Sequence, residues 1–483
     1  MVAAVGCVID YTTASMIKTK LQAAADAASL ATVSNNSSVV TTAKNMTGSG
    51  TVSGGSTYAL GFFNANLSAS PENTGYTSLT PTATVARSGT TVTATVSFTA
   101  QVPTYFMGIV GYKNVALSGT STASYTLPTY IDFYMMLDVS GSMSFPSTTS
   151  EQQRLLAVNP DNLNGSLGYP GGCTFACHFT TQGACSQSSS SNPYQGPIPA
   201  SGKPTNPSPG GYCQGFIITR LGTTPVSGFT GNNSTNGNDV NWANTPVTSC
   251  STAGTNSCIQ LRADAVGYAV NALLSTAAAS EQVTNQFRVG LYPFIQYLYP
   301  YFALTTNLTG TGSGTINYAA SQLATLLDTG VNANLGSGGT HFENAFPTMN
   351  STITHVGTGS SSSSTLPYVF LVTDGSQNNQ IQWGGAWSGN NSATTLDPSL
   401  CTTLKNRGIT IAVLYIPYET IQNPTTFANS EDIYANANIP NIPGELQSCA
   451  SPNFFYTANS PSDITNALVE MFEQAVSTAH ITN

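Results

Sequence analysis

The sequence predicts an α/β fold, a mainly parallel sheet flanked by helices, over its C-terminal two-thirds. Three observations carry this. Continuous apolar runs recur at IDFYMMLD (131–138), FRVGLYPFI (287–295), PYVFLVTD (367–374), ITIAVLYI (409–416) and NFFYTA (453–458). Such runs suit strands covered on both faces. Segments of helical period lie between them, at 259–279, 315–328, 342–350, 396–406 and 461–478, and that alternation means a parallel sheet with crossover helices. Finally, oxygen-bearing side chains follow directly on two of the runs, where open α/β sheets bind their ligands.

The helices justify themselves by spacing. In the first, Leu261, Ala265, Ala269, Leu273 and Leu274 share one face. In the last, Pro461 stands near the start, Ile464, Leu468, Met471, Phe472 and Val476 lie inside, and Asp463 sits near the positive end of the helix dipole.

The N-terminal third follows other rules. Residues 11–32 read as a helix, with Ile17, Leu21, Ala24, Ala28 and Ala31 at helical spacing and neither Gly nor Pro. Residues 34–56 are a polar Ser/Thr/Asn/Gly stretch, read as a linker. From Tyr58 to Tyr125 the period is two: Val92, Ala94, Val96, Phe98 and Ala100 alternate with Thr and Ser. A hairpin is expected at Ser88-Gly89, a short helix at Tyr105–Val110 and a further strand at Val115–Tyr125. This small β-rich module carries no titratable cluster, so a structural or docking role is expected. The implied organisation is an anchor remnant and helix at 1–33, a linker and β-rich module at 34–127, and the α/β domain at 128–483, interrupted by a Cys-rich insertion at 144–258.

Composition narrows the setting. With 483 residues and 40% hydrophobic content, the chain can bury a proper core. Only 7% of residues are charged, against about 25% in an average soluble domain. The net charge is −9 and no basic stripe is present, which excludes the electrostatic footprint of nucleic-acid binding. Of the nine cysteines, Cys7 lies in the apolar N-terminus. The other eight (Cys173, Cys177, Cys185, Cys213, Cys250, Cys258, Cys401 and Cys449) read as a disulfide framework formed in an oxidising compartment. Six of them fall in the insertion, where the pairing stays open, and Cys401 and Cys449 form a separate candidate pair. Met1–Ile9 is apolar but shorter than the roughly 20 residues that span a bilayer. It also lacks the basic region of a signal peptide. The expectation is that Met1 is a truncated start and that a membrane-spanning helix begins upstream.

The chemistry-bearing motif is Asp138-Val-Ser140-Gly-Ser142, directly after the first apolar run. Thr340 stands in the Gly-rich loop GSGGTHFENAF, and Asp374 ends PYVFLVTD and precedes Gly375. Two carboxylates and three hydroxyls are a hard-oxygen set. Mg²⁺ wants six such ligands at about 2.0–2.1 Å.

Two resemblances follow from these residues. The segment DYTTASMIKTKLQAAADAASLA resembles the N-terminus of the Tad/Flp pilus-assembly TadE/TadG-like family, the match being carried by Asp10, Tyr11, Leu21, Gln22, Ala23, Asp26, Ala27, Ala28, Leu30 and Ala31. The DxSxS, GGT and TDG elements resemble the metal-ion-dependent adhesion site of von Willebrand factor A-type (VWA) domains, a Rossmann-like fold. That resemblance implies metal ligands at Asp138, Ser140, Ser142, Thr340 and Asp374. In that family the two serines bind directly, and the acids and the threonine bind directly or through water. It implies one divalent cation, Mg²⁺ first, with Mn²⁺ or Ca²⁺ compatible, and a protein partner whose Asp or Glu carboxylate completes the shell. The Cys-rich run after DxSxS and the Cys401…Cys449 spacing also look TadG-like. Together they imply a pilus-assembly or adhesion protein of the bacterial envelope, membrane-anchored through its N-terminus, with pilus or envelope components as partners.

Competing readings are weaker. An enzyme needs a general base beside an open metal position. His341 and Glu343 read instead as a hydrogen-bonding or exposed loop residue and a first-turn helix acid, and no Ser/His/Asp set or P-loop is present. The CxxxCH run at Cys173–His178 departs from the CxxCH spacing of haem attachment and reads as disulfide cysteines beside a surface His. Two alternatives from other classes are an intracellular VWA subunit of a chelatase or AAA⁺-type complex, and a structural scaffold with an empty site.

Overall fold

The computed structural model describes residues 2–46, 48–68, 75–158, 220, 247–255, 258–328, 334–336, 338–379, 381–383, 386–388, 392–418, 420 and 431–481. Most of the predicted insertion, including Cys173, Cys177, Cys185 and Cys213, lies outside them. The chain forms two compact units: Met1–Tyr130 with Gly357–Thr365 and Thr478–Asn483, and Ile131–Val356 with Leu366–Ser477.

The first unit is built on a four-stranded antiparallel sheet of β1 (Gly50–Thr51), β2 (Ser78–Ser88), β3 (Thr91–Pro103) and β4 (Asn114–Thr126), in that order. A two-residue turn at Gly89-Thr90 pairs Ser88 with Thr91, close to the expected hairpin. Alternation in β3 buries Val92, Ala94, Val96, Phe98, Ala100 and Val102. Its other face carries a cross-strand hydroxyl ladder, Thr95 to Thr122 at 3.1 Å and Ser97 to Thr120 at 3.0 Å. The helix α1 (Val2–Thr32) is longer than the periodicity suggested. It contributes Leu21, Ala24, Ala25 and Ala28 to the same apolar core as Val92, Val96 and Phe98.

Two expectations fail here. Residues 34–56 are not a plain linker. They contain α2 (Ser38–Lys44), capped by the Ser37 hydroxyl accepting from Val40 N at 3.0 Å, and they bury Val39, Val40 and Ala43. The stretch from Tyr58 is not β-structured either, because α3 (Gly55–Ser68) occupies it. Its glycines and asparagines disguise a four-residue spacing of buried Ala59, Phe63 and Leu67. Burial against the sheet outweighs poor helix propensity.

Asp10 stabilises one corner of this unit. Its carboxylate accepts from three backbone N–H groups: Tyr105 (3.0 Å), Phe106 (2.9 Å) and Met107 (2.7 Å). They begin the short 3₁₀ turn Met107–Val110 within the segment expected to be helical. Burial pushes the carboxyl up, but the donors of Met107, Tyr105 and Phe106 together outweigh it and hold it below its ordinary value of 3.8. A depressed folded-state pKa contributes stability above the ordinary value, and that contribution is lost as pH falls through the folded-state value. Amide protection at Tyr105–Met107, relative to the free-peptide exchange rate, is therefore expected to fall below about pH 4, and Asp10→Asn should remove that acid transition. An unchanged profile in the variant would rule out this role.

The second unit holds β5 (Ile131–Asp138), β6 (Phe287–Phe294), β7 (Phe302–Thr305), β8 (Leu366–Thr373), the short β9 (Ser376–Gln377), β10 (Ile381–Trp383), β11 (Ala386–Ser388) and β12 (Thr394–Thr395), then β13 (Thr410–Tyr415) and β14 (Phe455–Thr457). Its six-stranded sheet runs β14-β13-β8-β5-β6-β7. All neighbours are parallel except β6 and β7, which are antiparallel. The five predicted runs are five of the six strands, and only the edge strand β7 escaped the pattern.

Helices α4 (Thr149–Val158), α5 (Arg262–Ser280), α6 (Ile316–Ser321), α7 (Phe342–Thr352), α8 (Pro398–Lys405), α9 (Glu431–Asn438), α10 (Ile442–Cys449) and α11 (Pro461–Ile481) accompany the sheet. The predicted helix 315–328 divides into α6 and the 3₁₀ turn Leu323–Leu326. On one face Phe133 packs among Phe287, Tyr368, Phe370 and Phe472, with ring centroids 5.2–6.1 Å away. Across the sheet, Tyr134, Met136 and Phe294 join Phe342 and Phe346 of α7. The Cys401–Cys449 disulfide forms as a pair and links α8 to α10.

Buried acids secure the described flanks of the insertion. The Glu151 carboxylate accepts from Gly254 N at 2.9 Å, Gln260 N at 2.6 Å and Arg154 Nη1 at 2.6 Å. Asp264 forms a fully buried bidentate pair with Arg220, at 2.7 and 2.6 Å, and accepts from Cys250 N and Leu261 N. A second disulfide, Cys250–Cys258, lies between them.

Candidate metal centre

The strand order reverses direction at β5. The chain passes from β5 to β6 on one side, and only later returns to place β8 on the other. A crevice at the carboxyl ends of two such strands is the usual ligand position in an open α/β sheet. Asp138 is the last residue of β5 and Asp374 directly follows β8.

Asp138 is fully buried. Its Oδ1 accepts from Ser140 N at 2.9 Å, and its Oδ2 accepts from the Thr373 hydroxyl at 2.6 Å. Thr373 Oγ1 in turn accepts from Gly375 N at 3.0 Å. This hydroxyl ties the two strand ends together, and the sequence reading missed it. A Thr preceding the strand-end Asp was its only available signal.

The chain leaves β5 as the 3₁₀ turn Gly141–Ser144, which brings Ser142 back so that its Oγ lies 3.3 Å from Ser140 Oγ. Asp374 is also fully buried. Its Oδ1 accepts from Ser376 N at 3.3 Å, while its Oδ2 has no hydrogen-bond partner among the described residues. Burial of an unpartnered carboxylate oxygen is costly.

Thr340 joins through its backbone. It is buried, its carbonyl accepts from Asn378 N at 3.0 Å, and the next residue's N–H donates to Ile295 O at 2.9 Å. That seats the Gly-rich loop against the segments following β8 and β6. Behind it, Gly338 N donates to Asp328 Oδ2 at 3.0 Å, and Asp328 N donates to Val139 O at 3.1 Å. The structure thus brings Asp138, Ser140, Ser142 and Asp374 together through side chains, and seats Thr340 through main-chain bonds of its loop.

His341 is buried, and its Nδ1 lies 2.7 Å from Glu343 Oε1. Glu343 Oε2 accepts from Gln377 Nε2 at 3.1 Å. The pair tethers the Gly-rich loop to the segment after β8.

The electrostatics are unfavourable without a cation. Burial first, then the charge of Asp374, push the Asp138 carboxyl up to about 7 against the hydrogen bonds of Ser140 and Thr373. Burial likewise raises Asp374, opposed by the Ser142 hydroxyl and by the charge of Arg262. The Arg262 guanidinium donates to Pro417 O at 3.0 Å and lies 4.8 Å over the Phe145 ring.

These residues fit a hard divalent cation. An orphaned carboxylate oxygen, a second buried carboxylate and converging hydroxyls are oxygen donors of the kind Mg²⁺ prefers. Among the described residues no group of three or more His, Cys, Asp and Glu gathers to hold a metal ion, so a cation here would depend on the hydroxyls as well as the two acids.

Gly375 sets the turn after Asp374. Its φ is +77°, and a Cβ there would lie 2.4 Å from Ile442 Cγ2. Gly375→Ala is therefore expected to destabilise this unit by at least about 1–2 kcal/mol from backbone strain alone. The readout is the denaturant midpoint, and a midpoint equal to wild type would show that the turn relaxes freely.

Comparisons with known proteins add the following. Residues 1–35 match the family model described as Flp pilus-assembly TadE/G-like. No curated protein matches the chain. Among solved structures, the SpaC pilus adhesin of Lactobacillus rhamnosus GG in its open conformation is similar at 12% identity and TM-score 0.33, over 83% of this chain and 34% of the adhesin. The PilB minor pilin of Streptococcus sanguinis is similar at 11% identity and TM-score 0.32, over 80% of this chain and 75% of the pilin. The vWF domain of the type V pili tip protein Mfa5 from Porphyromonas gingivalis is similar at 13% identity and TM-score 0.27, over 49% of this chain and 93% of that domain. This chain spans about a third of the length of the SpaC adhesin.

Proposed function

We propose that the α/β unit is a VWA-type domain whose Asp138, Ser140, Ser142, Thr340 and Asp374 hold one divalent cation, Mg²⁺ first. In this reading the protein is a non-enzymatic, metal-dependent adhesion or assembly component of a Tad/Flp-type pilus system. The observation that carries the reading is the buried, unpartnered Asp374 Oδ2 beside a second buried carboxylate at the strand-order switch. When bound, the cation supplies an electrophilic position that a partner's Asp or Glu carboxylate completes.

The chain's own residues do the rest. Thr373 and Ser140 N orient Asp138, Ser376 N orients Asp374, and the 3₁₀ turn after β5 presents both serine hydroxyls. The His341–Glu343–Gln377 chain steadies the loop that carries Thr340.

The envelope setting is supported by the 1–35 match and by two disulfides, which form in oxidising compartments. Membrane attachment is assigned to the N-terminal segment. No helix among the described residues is itself long and apolar enough to cross a membrane. The test is metal titration of wild type against Asp138→Ala. Equal binding by both would remove these five residues from the account.

A further inference from the structure

The first unit carries an apolar surface that its fold does not use. Between Thr104 and Lys113 the chain reads Tyr-Phe-Met-Gly-Ile-Val-Gly-Tyr, without a charged residue. The loop is closed at its neck, where Thr104 N donates to Lys113 O at 3.0 Å and the Thr104 hydroxyl donates to Tyr112 O. Its large side chains nevertheless point to solvent: Tyr105 is 79% exposed, Ile109 83%, Val110 59% and Tyr112 67%. Contiguous exposure of this kind marks an interaction surface.

The loop is fastened to the start of α1. Asp10 grips the N–H groups of Tyr105, Phe106 and Met107, and a Cβ on Gly6 would lie 2.5 Å from the Phe106 side chain. That end of α1 is apolar too. Met1–Ile9 contains no charged residue, and Val8 and Ile9 are exposed.

We infer that the 105–112 loop inserts into the interfacial layer of a lipid bilayer, alongside the N-terminal end of α1. Three features select lipid over a protein occupant. The loop is continuous with the charge-free end of α1. Its tip is aliphatic while tyrosines stand on both sides, the arrangement favoured at a membrane–water boundary, where the ring is buried and the hydroxyl stays wet. The local charges also fit. Lys113 at the neck is exposed towards a headgroup layer, and the one acid present, Asp10, is turned inward onto three backbone donors. The inference rests on the membrane-attached reading above and extends it, giving the β-rich unit a fixed bearing on the bilayer.

The experiment is flotation of the full chain with vesicles of equal phosphatidylcholine and phosphatidylglycerol. Wild type is expected to float. Ile109→Asp/Val110→Asp, on solvent-exposed positions, is expected to lower the vesicle partition coefficient roughly tenfold or more. Ile109→Trp should gain a blue-shifted emission component with vesicles, quenched by brominated lipid. A Val8→Asp/Ile9→Asp chain reports on the N-terminal segment separately. If it loses flotation while Ile109→Asp/Val110→Asp floats like wild type, attachment stands and the loop inference is overturned. Should no chain float, membrane attachment fails and the loop inference with it. Wild-type self-association abolished by the loop variant, with no Trp shift on vesicles, would instead assign the surface to a second copy and overturn the lipid assignment.

Discussion

Replacing Cys401 and Cys449 together with alanine is expected to destabilise the α/β unit by about 4 kcal/mol. The bond joins residues 48 apart, from α8 to the end of α10. Without it the unfolded chain regains the closure entropy of a long loop. Both cysteines are fully buried among Leu404, Ile411 and Leu446, so the alanines also leave unfilled space. Urea unfolding followed by fluorescence measures the loss. A contrast is built into the chain. Cys250–Cys258 spans only eight residues, and the same entropy argument assigns it about 2.5 kcal/mol. Burial also predicts the kinetics: dithiothreitol in native buffer should reduce Cys401–Cys449 only as fast as the helices open. A double variant with an unchanged midpoint, or reduction at the rate of a free peptide, would contradict this account.

Mg²⁺ is expected to stabilise the wild-type α/β unit, by about 2.7 kcal/mol at a hundredfold excess over its dissociation constant. Asp138→Ala and Asp374→Asn should show no such response in the same thermal scan. The metal-free comparison sharpens the test. Asp374→Asn keeps the size of the side chain but removes one of two buried like charges, so in chelator it should unfold no earlier than wild type.

The sign with pH is also determined. A carboxyl whose folded-state pKa is raised binds its proton more tightly in the native state than in the unfolded one. Metal-free stability should therefore fall as pH rises from 3.8 towards about 7. Removing Asp374 should flatten that slope. If Asp374→Asn responds to Mg²⁺ like wild type, or is much less stable in chelator, the carboxylates serve structure and not a cation.

Part of this architecture is legible without coordinates. The apolar runs became strands because a strand buried on both faces needs apolar residues at every position, and such runs stand out in a hydroxyl-rich chain. Asp138 and Asp374 were visible for the same reason, each being an acid at the end of such a run. Other elements were hidden by composition. α3 reads as polar and glycine-rich, and it is helical because Phe63 and Leu67 find a sheet to pack on. The edge strand β7 has too few buried positions to carry a signal. Glu151, Asp264 and Arg220 look like ordinary surface charges in the sequence, yet each is fully enclosed by partners up to 109 residues away.

The periodicities, the charge-poor composition and the chemical types at the candidate site follow from residue identity and local spacing, so they can be read along the chain. Packing of the whole chain sets β8 beside β5, so that the Thr373 hydroxyl reaches Asp138 across 235 residues of chain. Packing likewise leaves Asp374 with an oxygen that has no partner among the described residues, and lets Asp10 hold an apolar loop against the start of α1. Strand order and loop docking are selected by burial summed over many residues. That sum is a property of the packed chain and is written at no single position in it.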